Sequence, residues 1–289
     1  MGKKINIDQI DAFTNKPFQG NPAAVTFGNN LTSKEMQLIA REMNLSETAF
    51  LSESEKADFN LRWFTPATEV DLCGHATIAS LHFLTGHKII KNNSSITFDT
   101  LSGILQCYIE DDKYFMQIPI FKVNEFEGNK DEIIDTLGLN KNGLENSIPF
   151  IIVQNGYLYI YVKDLNTLKN LQPNFNALLK ISETKKEFEG VVVYTRETIE
   201  PKNFAHLRFF GPYYGIDEDP VTGSANGPLL LVLLKLGLLK NIKNEVELNF
   251  EQGDIINKPG RIGVRYSSVS GELFISGNAV TVLKGEMSF

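Results

Sequence analysis

Arg62-Trp63-Phe64-Thr65-Pro66 and Arg208-Phe209-Phe210-Gly211-Pro212 are two versions of one short pattern. Each is an apolar, strand-like run that a proline ends, and each leads into a turn of small residues that opens an apolar helix. The first turn is Cys73-Gly74-His75-Ala76, and the second is Thr222-Gly223-Ser224-Ala225. A duplicated strand–turn–helix unit indicates two similar halves. We therefore expect a catalytic site between the two helix starts.

The helices that follow the two turns predict the fold. The run from Pro228 to Leu234 is apolar almost all round, and the helix expected over 76–84 is similar. A surface helix keeps a polar face, so sheet must cover both helices on most sides. Many strand-like segments accompany few helices. We predict an α+β fold of two pseudo-symmetric halves, each a curved, mixed, barrel-like β-sheet around a central α-helix.

The boundary between the halves is predicted from an irregular stretch. Residues 119–130 contain a proline and a glycine and are interpreted as a linker. We predict an N-terminal half over 1–120, completed by a C-terminal strand at 279–289. The C-terminal half then covers 121–278, and the active site lies in the cleft between the halves.

Local patterns predict several further segments. Residues 33–43 form a helix that Thr32 or Ser33 caps, with its apolar residues on one face. The segments 139–148 and 164–176 are interpreted as loops that shape the pocket.

Composition excludes several classes of protein. The chain has 289 residues, is 42% hydrophobic and carries a net charge of −7 without a basic run, which excludes a nucleic-acid partner. Cys73 and Cys107 are the only cysteines, so a reducing compartment is expected. Met1–Asp8 lacks the apolar core of a signal peptide, and the run Leu229–Leu239 is far shorter than the roughly 20 residues that cross a bilayer. We expect a cytoplasmic protein without a membrane partner.

The two helix starts suit an anionic ligand. Helix N-termini present unpaired backbone N–H groups and a partial positive charge, and Gly74 and Gly223 let a ligand approach the backbone closely. Two such termini would hold a carboxylate. The alternative is that both are ordinary turn glycines, but their duplication favours the first interpretation.

His75 is the histidine with a chemical context. It falls in the first turn of its helix, where the helix dipole disfavours protonation, so we expect a neutral imidazole that relays a proton. The alternative is a histidine that only bonds nearby backbone. His82, His87 and His206 are interpreted as structural or exposed.

Glu47 is the candidate general acid/base. In a strand over 45–51, alternation puts Glu47 on the same face as Leu45, Ala49 and Leu51. A carboxylate on an apolar face is costly unless it is paired or protonated, and this suits proton transfer. An edge strand whose glutamate reaches solvent is an equally good interpretation.

The second turn carries its own polar residues. Asp219 precedes the helix closely enough to line the same end of the expected cleft as Ser224. Asp71 occupies a similar place in the first repeat and is interpreted as its counterpart. Cys73 has Thr222 at the matching place, so a mechanism with one thiol from each half is not available. Cys73 is interpreted as a small buried residue. The sequence shows no metal-binding or phosphate-binding motif, and we expect neither metal nor cofactor.

The longer motifs resemble the PhzF-like, phenazine-biosynthesis family, which shares the diaminopimelate epimerase fold. The matching segments are ordered along most of the chain: Asp11–Thr14, Pro17–Val25, Asn44–Phe50, Arg62–Pro66, Glu69–Thr77, Glu218–Ala225, Glu251–Gly253 and Pro259–Gly260.

The resemblance implies cofactor-free proton-transfer chemistry. The proton-shuttling glutamate of the family falls on Glu47, and its histidine, aspartate and serine fall on His75, Asp219 and Ser224. Asn21, with Gly74 and Gly223, is expected to bind the substrate, a small carboxylate. A homodimer is also implied.

Three functions are therefore kept open. The first is a cofactor-independent isomerase of a small cyclic or unsaturated carboxylic acid that works by general acid/base proton transfer. The second is an amino-acid racemase or epimerase on the same fold, against which Thr222 counts. The third is a non-enzymatic protein that binds a small molecule.

Overall fold

The chain divides into two compact units. The computed structural model describes residues 2–240 and 244–289, so Met1 of the N-terminal segment discussed above lies outside them. The first unit joins the chain up to Ile118 to Phe274–Phe289, and the second is Pro119–Leu273. The end of the chain thus returns to the unit in which the chain begins.

The first unit opens with eight strands and two helices in the described residues. The strands are β1 (Lys4–Ala12), β2 (Asn21–Phe27), β3 (Glu47–Ser52), β4 (Phe59–Phe64), β5 (Glu69–Val70), β6 (Ser95–Thr100), β7 (Gly103–Glu110) and β8 (Lys113–Ile118). The helices are α1 (Ser33–Met43) and α2 (Gly74–Gly86).

The second unit follows, and the last strands close the first. The strands of the second unit are β9 (Val123–Glu125), β10 (Ile151–Val153), β11 (Tyr157–Tyr161), β12 (Gly190–Thr195), β13 (Ala205–Gly211), β14 (Ile216–Asp219), β15 (Glu245–Gln252) and β16 (Gly260–Ser267). Its helices are α3 (Lys130–Thr136), α4 (Leu165–Lys169), α5 (Phe175–Lys185) and α6 (Gly223–Lys235). The chain ends with β17 (Leu273–Gly277) and β18 (Ala279–Ser288).

The two units repeat one strand order. In the first, β2 pairs parallel with β3, β3 antiparallel with β4, and β4 parallel with β6. In the second, β11 pairs parallel with β12, β12 antiparallel with β13, and β13 parallel with β15. A central helix enters each unit at the same point of this order, α2 after β5 and α6 after β14. The predicted α+β class with two pseudo-symmetric halves is confirmed.

The central helix α2 is buried on nearly all sides because strands of its own unit surround it. It packs against β1, β2, β3, β8 and β18, and Ile78, Ala79, Leu81 and Leu84 are inaccessible to solvent. Burial of each large aliphatic side chain contributes roughly 1.5–3 kcal/mol. The hydroxyls of Thr77 and Ser80 donate back to backbone carbonyls of the preceding turn, which satisfies them inside the core.

Helix α6 contains a proline, and neighbouring side chains compensate for it. The helix begins at Gly223, earlier than predicted, so Pro228 lies inside it and cannot donate to the carbonyl of Ser224. The side-chain amide of Asn155 donates to that carbonyl instead, at 3.0 Å. The hydroxyl of Tyr159 donates to the carbonyl of Ala225 at 2.8 Å. The N-terminal turns of α6 are thereby held by the strand β11 and the turn before it.

Some local predictions were correct and others wrong. Helix α1 lies at 33–43, and Thr32 caps it with a full capping box. The predicted linker 119–130 contains the strand β9, and the predicted loop 164–176 contains α4 and the start of α5. Short strands and one-turn helices have no periodicity long enough to identify them in sequence. Among the described residues, no helix is long and apolar enough to span a membrane.

Candidate functional site

An arginine–glutamate pair supports each of the two turns. In the first unit, Arg62 on β4 binds Glu69 on β5 through two nitrogen–oxygen contacts of 2.6 and 2.7 Å. In the second, Arg208 on β13 binds Glu218 on β14 at 2.9 and 2.7 Å. Each guanidinium also lies over the ring of the phenylalanine two residues later, at 5.1 and 4.9 Å. These bidentate pairs fix the strand that leads into each turn.

A carboxylate, an imidazole and a thiol meet at the first turn. His75 Nε2 lies 3.1 Å from Glu47 Oε2, and His75 Nδ1 lies 3.5 Å from Cys73 Sγ. The side chains of His75 and Glu47 are only 7% and 13% exposed. The 3.1 Å contact is short enough for an ion pair, but its angles do not meet hydrogen-bond geometry, and neither atom has a hydrogen-bond partner among the described residues. The structure brings the two predicted residues together and adds Cys73.

Glu47 occupies the first position of β3. The strand is buried on both faces from Thr48 to Leu51, and Leu45 precedes it. Leu45 lies outside β3, so of the predicted apolar face only Glu47, Ala49 and Leu51 belong to the strand. The alternative of an edge strand is wrong, because β3 lies between β2 and β4. Its position at the strand end, opposite Ala23, leaves the carboxylate partly accessible.

Asn21 begins the neighbouring strand β2. It is inaccessible to solvent and pairs with Ala12 on β1, two residues before the Ala23–Glu47 pair. Because β2 and β3 are parallel, Asn21 and Glu47 lie at the same end of the sheet. Their arrangement is compatible with the predicted substrate contact of Asn21, which stays a prediction.

The pKa of His75 is shifted in the direction opposite to the one that the helix dipole predicts. Burial lowers the pKa of His75, but the neighbouring Cys73 and Glu47 side chains raise it by more, and the net pKa is well above 6.5. Burial and the charge of Glu47 both raise the pKa of the Cys73 thiol. The thiol therefore keeps its proton near neutral pH, and Glu47 is the negative charge that His75 meets. This direction favours a protonated imidazole over the predicted neutral one, and the charge of His75 stays a prediction.

The first turn of α2 has free hydrogen-bonding capacity. Cys73 is the N-cap residue, and its side chain makes no capping hydrogen bond. The same holds for Thr222 at the start of α6. Serine, threonine, aspartate or asparagine side chains usually cap such positions. Gly74 and Gly223 thus begin helices without a side-chain cap, and the anion contact at their N–H groups stays a prediction.

The second turn is organised around Asp219 and Thr222. The hydroxyl of Thr222 donates to Asp219 Oδ2 at 2.5 Å instead of capping α6. Gln252, at the end of β15, donates to the hydroxyl oxygen of Thr222 at 3.0 Å and to the carbonyl of Asp219 at 2.8 Å. Because Gln252 occupies the acceptor side of that hydroxyl, the proton of Thr222 points at Asp219.

Gln252 also accepts two hydrogen bonds. Its Oε1 receives the N–H of Thr222 at 2.9 Å and the side-chain amide of Asn226 at 2.7 Å. One buried side chain thus joins the start of α6 to the end of β14. Gln252 could not be recognised from the sequence, because no local pattern predicts the strand β15 and only long-range pairing brings Gln252 to the turn.

Ser224 lies beside a buried tyrosine. Its hydroxyl is 3.2 Å from the hydroxyl of Tyr157, the first residue of β11. Burial raises the pKa of Tyr157 to about 12, so the phenol stays protonated. Tyr157 could not be recognised as a neighbour of Ser224 from the sequence, because only long-range contacts bring the two hydroxyls together.

The repeat shows which residues correspond. In the first unit Trp63 pairs with Val70, and in the second unit Phe209 pairs with Asp219. Val70 is therefore the counterpart of Asp219, and the prediction that Asp71 is the counterpart is wrong. Cys73 and Thr222 then correspond, each three residues farther along.

Glu47 has no acidic counterpart in the second unit. In the first unit, Glu47 at the start of β3 pairs with Ala23 on β2. In the second unit, Gly190 at the start of β12 pairs with Tyr157 on β11, so Gly190 is the counterpart of Glu47. A Cβ atom at Gly190 would lie 2.7 Å from the ring of Phe209, too close for any side chain without rearrangement. The two units thus share a frame but carry different chemical groups.

The other three histidines belong to structural contacts, as predicted. His82 contacts Tyr114 at 3.1 Å and Thr281 at 3.0 Å, and His87 contacts Asp8 at 3.1 Å. His206 is fully buried and lies 2.9 Å from Glu251, whose carboxylate it shares with three other donors.

Two groups of side chains in the described residues could hold a metal ion. One is Glu47, Cys73 and His75, and the other is His206, Glu251 and Asp254. Both combine residues distant in sequence, so a search for compact motifs could not find them.

Comparisons with known proteins agree along almost the whole chain. A family model described as "Phenazine biosynthesis-like protein" matches residues 10–285. A relative from Clostridium acetobutylicum, named an uncharacterised isomerase, is 39% identical over 99% of both chains. The crystal structure of a phenazine biosynthesis protein of the PhzF family from Bacillus anthracis superposes with a TM-score of 0.92, at 33% identity over 99% of both chains. A hydroxyproline epimerase from Agrobacterium vitis, 13% identical, shares the fold with a TM-score of 0.62 over 99% of this chain and 93% of its own.

Proposed function

The chain belongs to the family of phenazine biosynthesis-like proteins and is an isomerase, and on that premise we propose that it moves a proton between two carbons of a small cyclic or unsaturated carboxylic acid. The proposed reaction uses general acid/base catalysis by side chains and needs no cofactor. The observation that carries the proposal is the pairing of Glu47 with His75 at the start of α2.

Glu47 is the proposed base. Its carboxylate is nearly buried and lies at a strand end, with Oε2 facing His75 Nε2. A base needs a lone pair that can accept a proton from carbon, and the second oxygen of the carboxylate is proposed to supply it. Glu47 removes the proton and returns it to a second carbon of the same substrate.

His75 is the proposed partner of Glu47. In the proposed mechanism His75 is protonated, as the direction of its pKa shift favours, and can donate a hydrogen bond to the substrate. Abstraction of a proton α to a carboxylate creates an enolate-like charge. The N–H groups that begin α2, together with His75, stabilise that charge.

Asp219 and Ser224 are assigned to the same reaction. Asp219 positions a group of the substrate or shares the transferred proton, and Ser224 donates a hydrogen bond to the carboxylate or to another polar substituent. Thr222 and Gln252 hold Asp219 in place. If the assignment is right, Asp219→Asn and Ser224→Ala each slow turnover of the compound on which Glu47 acts.

The racemase alternative needs two acid/base groups on opposite faces of one carbon. The neighbouring epimerase fold supports this alternative. Against it, Gly190 replaces Glu47 and Thr222 replaces Cys73 in the second unit. One carboxylate that takes and returns a proton suits an isomerisation better than an inversion.

Proton exchange in deuterated water tests the proposal. A panel of small cyclic and unsaturated carboxylic acids is incubated with the wild type, and NMR follows deuterium at each carbon. Glu47→Gln should abolish exchange while circular dichroism stays unchanged. Glu53→Gln is the matched control, because Glu53 is exposed just beyond β3 and should retain exchange. Exchange that survives in Glu47→Gln would contradict the proposal, and saturable binding without exchange would favour the non-enzymatic alternative.

The oligomeric state, the cellular location and the partners of the protein stay predictions. A homodimer and a cytoplasmic location follow from the family resemblance and the composition, and neither nucleic acid nor membrane is proposed as a partner. Size-exclusion chromatography with light scattering tests the homodimer directly.

A further inference from the structure

Tyr157 contacts the central helix of the second unit much as Glu47 contacts that of the first. His75 is the second residue of α2, and Ser224 is the second residue of α6. Glu47, at the start of β3, lies against His75, and Tyr157, at the start of β11, lies against Ser224. In both units a side chain at the start of an inner strand thus contacts the second residue of the central helix.

The two contacts come from neighbouring strands of the repeated order. Gly190 is the counterpart of Glu47, and Tyr157, which pairs with Gly190, is the counterpart of Ala23. The ring of Tyr157 lies 3.2 Å from the position that a Cβ atom of Gly190 would take. The absence of a side chain on β12 therefore leaves room for the phenol on β11, which reaches the helix start in place of a carboxylate.

The hydroxyl of Ser224 belongs to a partly open place. Ser224 is partly exposed, whereas every other residue from Val221 to Leu233 is buried. Its Oγ lies 3.2 Å from the hydroxyl of Tyr157, its one hydrogen-bond partner in the described structure. A phenol is more acidic than an aliphatic alcohol and is the better donor of the two. With Tyr157 as the donor, the proton of Ser224 is available to a substrate.

The turn before β11 also fixes the backbone of Ser224. The side-chain amide of Asn155 donates, at 3.0 Å, to the Ser224 carbonyl that Pro228 cannot reach. The side-chain carbonyl of Asn155 accepts the backbone N–H of Tyr157 at 3.3 Å. One short turn therefore binds both the carbonyl and the hydroxyl of Ser224.

The surroundings of Tyr157 hold its ring and keep its phenol protonated. The ring packs against those of Phe209 and Tyr214, with centroid distances of 4.8 and 6.1 Å. Burial raises the pKa of Tyr157 to about 12, and the negative charge of Asp219 adds to the increase. A neutral side chain that packing holds in place can keep a neighbouring site residue in a productive orientation.

We propose that Tyr157 is the positioning residue of Ser224. Its hydroxyl donates to the oxygen of Ser224, so that the serine proton points at a polar group of the bound acid. Tyr157 acts through Ser224 and does not itself touch the reacting atoms. This role rests on the proposed function of Ser224, whereas the hydrogen bond between the two hydroxyls does not.

A double-mutant cycle on proton exchange tests this role. Exchange of an acid on which the wild type acts is compared in the wild type, Tyr157→Phe, Ser224→Ala and the double variant. Tyr157→Phe keeps the ring and should slow exchange roughly three- to tenfold, the effect of one hydrogen bond. In the Ser224→Ala background the same change should have no further effect. A merely structural tyrosine would slow exchange by the same factor in both backgrounds, and that result would overturn the role.

Tyr194→Phe is the matched control for the loss of a buried phenol. Tyr194 is also buried, but its hydroxyl has no hydrogen-bond partner in the described structure. Its removal should therefore leave exchange unchanged. If Tyr194→Phe slowed exchange as much as Tyr157→Phe, the effect would not be specific to the neighbour of Ser224, and the role would be overturned.

Urea unfolding tests the hydrogen bond without a substrate. The two single changes should be non-additive in the free energy of unfolding, because either one alone already breaks the bond. Additive values would show that the two hydroxyls do not bind each other, and would overturn the role of Tyr157. If exchange does not depend on Glu47 but the free energies are non-additive, the proposed function fails and the contact between Tyr157 and Ser224 stands.

Discussion

At the scale of single residues, the pKa of His75 depends on the side chains around its ring. It lies between the carboxylate of Glu47 and the thiol of Cys73, and burial alone would favour its neutral form. The Cys73 and Glu47 side chains together outweigh burial and raise its pKa. The proposed mechanism uses this imidazolium, so its charge can be tested separately from turnover.

The pKa of His75 should fall when Glu47 loses its charge. In Glu47→Gln, burial still opposes protonation, but the carboxylate that favours it is gone. We expect a clear downward shift of the His75 midpoint, measured by ¹⁵N NMR of the ring nitrogens in protein labelled at its four histidines. Glu53→Gln should leave the midpoint unchanged. An unchanged midpoint in Glu47→Gln would show that the two side chains do not interact in solution.

The same interaction gives stability a pH dependence of known sign. Because the pKa of His75 in the folded protein is raised above 6.5, protonated His75 contributes fully to the free energy of unfolding below about pH 6.5. The contribution is lost as pH rises through the folded pKa. The free energy of unfolding of Glu47→Gln should therefore approach that of the wild type at high pH.

The candidate residues of the site could be predicted better than their protonation states. Glu47, His75, Asp219 and Ser224 stand in recognisable motifs, and the structure pairs the first two. The charge of His75 could not be predicted, because it depends on a carboxylate that lies 28 positions earlier in the chain. The helix dipole, which is readable from sequence, is weaker than that contact.

At the scale of elements, the turn before α6 depends on a hydrogen-bond chain from β15. Gln252 orients the hydroxyl of Thr222, which then donates to Asp219. The chain crosses between elements that are far apart in sequence. For this reason Gln252 could not be found from local patterns.

Thr222→Val should slow proton exchange, because it removes the donor to Asp219 while keeping the side-chain shape. Thr222→Ser keeps the hydroxyl and should retain most of the activity. Valine also leaves the amide of Gln252 without one acceptor, at a cost of about 1–3 kcal/mol. Exchange kinetics and urea unfolding measure the two effects. Equal exchange rates for the valine and serine variants would contradict the role of the hydroxyl.

The two arginine–glutamate pairs should differ in their importance for stability. Arg208 and Glu218 are 8% and 12% exposed, whereas Arg62 and Glu69 are 25% and 23% exposed. Removal of one partner from a buried pair leaves an uncompensated charge and costs about 3–5 kcal/mol. Arg208→Met should therefore lower the free energy of unfolding by about 3 kcal/mol or more, and Arg62→Met by less. Urea unfolding compares the two variants, and the reverse order would contradict this assignment.

At the scale of the whole molecule, the chain ends meet in one unit. β1 pairs antiparallel with β18 from Lys4–Ser288 to Ala12–Ala279, with one irregularity after Gln9. This pairing joins residues separated by most of the sequence. Contacts of such long separation are expensive to form and make folding slow.

Removal of residues 279–289 should unfold the first unit. The deletion leaves β1 without its antiparallel neighbour and exposes α2, which packs against β18. Hydrogen exchange should show loss of amide protection in β1 and β2, whereas β12 and β13 keep theirs. Retained protection in β1 would mean that β18 is not needed for the first unit.

Much of the overall architecture could be predicted because it follows from strong patterns. The duplicated motif gives two halves, and two helices without a polar face require surrounding sheet. The weaker elements could not be predicted in the same way: β9 and β14 are short, and α4 has only five residues. Their positions depend on tertiary contacts that no local window contains.

The most direct test of the central claim is the position at which deuterium enters the substrate. In deuterated water, NMR follows both carbons of any turned-over acid with the wild type and with Glu47→Gln. We predict that the proton on Glu47 exchanges with solvent during turnover, so that the wild type labels the accepting carbon of the product and, by reversal, the donor carbon of the remaining substrate, and that Glu47→Gln labels neither. Inversion with label at one carbon only, or unchanged labelling by Glu47→Gln, would contradict an isomerisation in which Glu47 carries the proton.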